Sequence, residues 1–141
     1  MKTLLALFAV LLLALPVRSG AQSDAGSSAR LGTVYVFRSR NDDGGSYYLT
    51  YQTRTLARLK TGNYVVLHLP EGRQYLLADP SAAQIYSLEV VAGRDKYVQL
   101  VTDGSLLRRH PSLVDSTADE FESMRSELKE IPVRDDSSPA Q

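Results

Sequence analysis

The chain has 141 residues, 43% of them hydrophobic and 23% charged, with 16 basic and 16 acidic side chains and no cysteine. Balanced charge gives no electrostatic reason to expect nucleic acid or an anionic membrane as a partner. The lack of cysteine excludes disulfides, thiolate catalysis, cysteine-ligated metals and a lipid-bearing cysteine after a leader.

The first segment reads as a targeting signal. Met1-Lys2-Thr3 is short and positive, residues 4–15 are an unbroken apolar run, and Pro16 ends it. Ser19-Gly20-Ala21 then offers small residues at both positions a signal peptidase reads. A membrane-spanning helix needs about 20 apolar residues, so the run is short for a span. The expectation is a signal peptide over residues 1–21, with export to the periplasm or the extracellular space after cleavage near Ala21. An uncleaved N-terminal anchor is the other reading. Cleavage would also remove Lys2 and Arg18, leaving 14 basic against 16 acidic residues.

Residues 22–30 are small and polar, so they predict a flexible linker. Residues 31–130 carry the apolar patterning of one domain. Residues 131–141 hold two prolines and Asp135-Asp136, and predict a disordered tail.

Within the domain, seven segments have strand composition. Residues 33–38 are β-branched and aromatic. Turn formers over residues 41–46 end that segment. Residues 47–52 and 55–59 follow, separated by a tight reversal. In residues 64–69, Val65, Leu67 and Leu69 point one way and Tyr64, Val66 and His68 the other, because strand side chains alternate. Residues 73–78, 84–90 and 96–101 complete the set, each bounded by Gly, Pro, Asp or Asn. Strands at this spacing with no helix between them predict an antiparallel β-sandwich. A small barrel is the rival architecture.

One C-terminal helix follows, over residues 117–129. Thr117 and Glu120 have capping-box spacing, Asp119 and Glu120 suit the positive helix end, and Lys129 the negative end. Phe121, Met124 and Leu128 share one face, which predicts packing on the sandwich.

A family resemblance emerges from the order of these segments. Val34-Tyr35-Val36-Phe37-Arg38 comes first, then Leu59-Lys60-Thr61-Gly62-Asn63-Tyr64, then Leu69-Pro70-Glu71-Gly72, and last Gly93-Arg94-Asp95-Lys96-Tyr97. Together, over about residues 31–115, they resemble a bacterial envelope family known as domain of unknown function 2846. The resemblance implies an exported all-β domain. It supplies no catalytic residues, since that family has no established activity. This chain departs from its many lipoprotein members in having no cysteine to lipidate. On physical grounds the shared positions read as scaffold: Gly62 and Gly72 stand where turns ask for positive φ, and Pro70 pre-sets its turn.

The search for chemistry finds no catalytic set. His68 and His110 have no carboxylate at metal-ligand spacing. No Gly-x-Ser-x-Gly elbow and no phosphate loop is present. Asn41-Asp42-Asp43-Gly44 lacks the later ligands of a calcium loop and reads as a turn. No cofactor or metal is expected, and no enzyme activity. Tyr47 and Tyr51 share one strand face beside a polar loop, with Tyr48 opposite, and form the one candidate binding face. The leading expectation is a non-catalytic envelope module that binds another protein. A carbohydrate- or cell-wall-binding module using Tyr47 and Tyr51 comes second, and a hydrolase with a dispersed site third.

Overall fold

Apolar residues at every second position turn one face of each strand inward. In the computed structural model, which describes residues 28–79, 84–105 and 108–134, that rule builds two sheets facing each other across one core. The strands are β1 (Leu31–Phe37), β2 (Tyr47–Tyr51), β3 (Arg54–Leu59), β4 (Asn63–Pro70), β5 (Gly72–Ala78), β6 (Ile85–Val90), β7 (Asp95–Ser105), β8 (Arg108–Ser116) and the two-residue β9 (Lys129–Glu130). The first sheet has the order β8-β7-β1-β4-β9 and the second β3-β2-β5-β6. The protein is a mainly β sandwich with one C-terminal α-helix.

The chain crosses between sheets repeatedly. β1 and β4 pair antiparallel, with Val36 opposite Val65 and Val34 opposite Leu67. Between them the β2–β3 hairpin belongs to the second sheet. The β5–β6 hairpin intervenes in the same way before the β7–β8 hairpin returns. This alternation makes two pairings parallel, β1 with β7 and β4 with β9, so the first sheet is mixed and the second wholly antiparallel. Val34, Val36, Val65, Leu67, Val98 and Leu100 from one sheet meet Leu49, Leu59, Leu76 and Leu88 from the other, all buried.

The alternation expected in residues 64–69 is present: Val65, Leu67 and Leu69 enter the core. Gly62 and Gly72 have φ of 75° and 111°, the left-handed backbone that only glycine adopts without strain. Two strands go beyond the seven expected. β8 lies beyond the last expected strand, around His110-Pro111, where no strand was expected, and β9 begins at the last residue of the expected helix.

The helix is shorter than its apolar spacing suggests. α1 covers Ala118–Met124, and a 3-10 turn over Arg125–Glu127 follows. The capping box is formed: Thr117 Oγ1 accepts from Glu120 N at 3.2 Å, and Thr117 N donates to Glu120 Oε2 at 3.2 Å. Lys129 does not serve the helix end as expected. The chain is already extended there, because Lys129 N donates to Gly62 O and Ile131 N to Tyr64 O, drawing it along the edge of β4.

α1 lies on the outer face of the five-stranded sheet. Phe121 is fully buried among Tyr35, Phe37, Tyr64 and Tyr97, with ring centroids 5.2, 5.3, 5.2 and 5.5 Å away. Met124 and Leu128 pack on the same cluster, as expected. The expected signal peptide, most of the expected linker and residues 135–141 lie outside the described residues. Residues 131–134 do not hang free as the expected tail: Ile131 packs on the core, and Arg134 N donates to Leu56 O at 2.7 Å.

Candidate binding face

Tyr47 and Tyr51 share a strand face, as the alternation requires, but that face is the inward one. Leu49 between them is fully buried, and both rings pack at opposite ends of the core cluster. Four residues of strand separate them by about 13 Å, so they make no common platform. Tyr51 Oη donates to Gln74 Oε1 at 2.8 Å, and Gln74 Nε2 donates to Pro70 O at 3.0 Å, which anchors that end of the core.

Tyr47 has a different partner. Arg38 is fully buried and its guanidinium carbon lies 4.9 Å from the Tyr47 ring centroid. Burying a cation is costly unless it is paired and hydrogen-bonded. Here Nε donates to Asp42 Oδ2 at 2.6 Å, Nη1 to the carbonyls of Gly45 and Leu59, and Nη2 to Asp43 O at 3.2 Å and Thr102 Oγ1 at 3.1 Å. All five donors are thereby used. Thr102 Oγ1 in turn donates to Asp42 Oδ2 at 3.0 Å. The acidic loop that faintly suggested calcium is wrapped around an arginine, which already occupies Asp42.

The surface that is apolar and uncovered is the outer face of the four-stranded sheet. Tyr48 is 39% exposed, Tyr75 50% and Ile85 61%. Leu77 stands across from Ile85 in the ladder and from Thr50 on the other side. A depression of about 400 Å³ is lined by Tyr51, Gln52, Gln74, Tyr75, Leu77 and Ile85. Beside it, the Thr50 hydroxyl is buried without a hydrogen-bond partner. Sequence reasoning missed this face. Residues 73–78 and 84–90 were read as strands, but nothing in a strand pattern says which outer face receives the helix.

The titratable groups are structural in their surroundings. Asp115 Oδ1 accepts from Lys96 Nζ at 2.6 Å and from Tyr86 Oη at 2.7 Å. The Lys96 contact first, then Tyr86, lowers the Asp115 pKa, while burial and the same bond raise that of Tyr86. Burial also raises Tyr64, with Glu130 adding to it, and Tyr97, with Asp95 adding to it. His68 is exposed on β4 and His110 on β8. Among the described residues no three His, Asp or Glu side chains gather as a metal site. Neither a protein-family model nor a curated protein nor a solved structure matches the chain.

Proposed function

We propose that this is an exported, non-catalytic module whose bare sheet face binds another protein of the cell envelope. One observation carries the reading. The two outer faces of the sandwich are treated differently: one carries α1 over an aromatic cluster, and the other leaves Tyr75 and Ile85 exposed around Leu77 with no element packed on them among the described residues, the Arg58 guanidinium lying over Tyr48 at their side. Exposed apolar surface of this kind, with tyrosine at its centre, is what a protein partner uses as an anchor. Export follows from the leader pattern of residues 1–21 and agrees with the resemblance to domain of unknown function 2846. A photo-crosslinking residue in place of Tyr75, used in intact cells, should capture one discrete protein, and Ile85→Ser should weaken the capture. Recovery of abundant envelope proteins alone, unchanged by Ile85→Ser, would count against the reading.

A cell-wall glycan is the second reading, favoured by the depression itself. Its lining combines the exposed Tyr75 with Gln52, an aromatic and an amide of the kind suited to stacking on and hydrogen-bonding a sugar. Tyr47 has no part in it, being packed on Arg38. Binding on a glycan and peptidoglycan array that disappears with Tyr75→Ala would favour this reading over the first.

A further inference from the structure

The sandwich has two flanks, and they are finished differently. On one flank the C-terminal segment reaches both sheets. β9 pairs with the start of β4, and Arg134 N donates to Leu56 O of β3, so a single segment ties one sheet edge to the other. On the other flank the edge strands are β8 and β6. β8 is protected against pairing by Arg108, Arg109, His110 and Pro111, since charge and a missing N–H both discourage an added strand.

β6 has no such protection. It contains no proline and no basic residue, and its one charge, Glu89, stands opposite Arg73 within its own sheet. Among the described residues, no backbone group of Ile85–Val90 bonds anywhere but to β5. An edge of alternating donors and acceptors is matched by one kind of partner, another extended chain.

We propose that the partner is a second copy of this chain, joined β6 to β6 in an antiparallel, two-fold pair. The strand is self-complementary. With Ser87 opposite its own mate, Tyr86 faces Leu88 and Ile85 faces Glu89, so no like charges meet. Two-fold symmetry is the commonest way identical chains close an interface. The pair makes one eight-stranded sheet from the two four-stranded ones and brings both Ile85 side chains to a single surface. This use of the sheet edge is independent of what the sheet face binds.

The absence of cysteine provides the test. Facing residues of an antiparallel pair lie about 4.5–5.5 Å apart at Cα, within disulfide range. Ser87→Cys should oxidise rapidly to a disulfide dimer, whereas Glu89→Cys, out of register with its mate, should not. By light scattering the unmodified protein should show twice the monomer mass, and Ser87→Lys, which opposes two ammonium groups at an exposed site, should halve it. A monomer at concentrations up to about 1 mM, or a dimer that survives Ser87→Lys, would overturn the proposal. Loss of the dimer with partner capture through Tyr75 intact would leave the sheet-face reading standing. Loss of capture with the dimer intact would remove only that reading.

Discussion

At the scale of single residues, Arg38 is the clearest test of how the domain is held. Removing one member of a buried ion pair leaves an uncompensated charge, at a cost of about 3–5 kcal/mol. Arg38→Met should therefore lower the unfolding free energy by that order and loosen the loop through Asp42 and Gly45. Arg38→Lys should rescue little, because an ammonium has three donors where the site uses five. Denaturant unfolding of the three proteins checks both statements. The tyrosines make a separate prediction. Tyr64, Tyr86 and Tyr97 all have raised pKa values, chiefly through burial. A raised folded-state pKa means that the unfolded chain loses those protons first. Stability is then complete below the ordinary tyrosine pKa of about 10 and declines as pH rises past it. Asp115 has the opposite sign. Its lowered pKa contributes stability above the ordinary carboxylate range, which is lost as pH falls through the folded value. Because Asp115 is solvent-exposed, the acid effect should be the smaller one. Melting temperatures across both limbs measure this, with Asp115→Asn flattening the acid limb and, through its lost bond to Tyr86, softening the alkaline one.

At the scale of elements, α1 depends on one ring. A seven-residue helix is far too short to persist alone. Phe121→Ala should cost about 3–5 kcal/mol and speed amide exchange in α1 before exchange in the central strands. Thr117→Ala should cost about 1 kcal/mol through the lost cap. The cap and the Phe121 stripe were legible in the sequence because both are local spacings. The end of the helix was not. Leu128 keeps helical spacing with Phe121 and Met124, but hydrogen bonds to Gly62 and Tyr64, 67 residues before Lys129 and Ile131, set the backbone there. β8 was illegible for a related reason. Arg108, Arg109, His110 and Pro111 are the residues that protect an edge strand, and in a single sequence they look like a loop. Arg38 looked like the polar end of a strand. Its only signal was the Asp- and Gly-rich stretch that follows, whose carbonyls it gathers.

At the scale of the molecule, the layers were readable and their outer surfaces were not. Period-two alternation fixes which residues face inward, as Val65, Leu67 and Leu69 do, but it treats both outer faces alike. Tyr47 and Tyr51 illustrate the limit: their shared side was correctly inferred, yet it turned out to be the core side. The flank tied by residues 131–134 gives a further expectation. A chain ended after Glu130 loses the Ile131 packing and the Arg134–Leu56 bond, and should melt several degrees lower, with the exchange of β3 amides accelerated most.

The parallel pairing of β1 with β7 has a consequence in time. β1 sits at the centre of its sheet, yet one of its neighbours, β7, begins some sixty residues after it. During synthesis β1 and β4 can meet early, but the β1 edge stays open until residues 95–99 arrive. Contacts this distant in sequence slow folding, because the loop must close before they reward it. The domain should remain unfolded until nearly its whole length is present, a state that a pathway threading extended chains through a membrane requires.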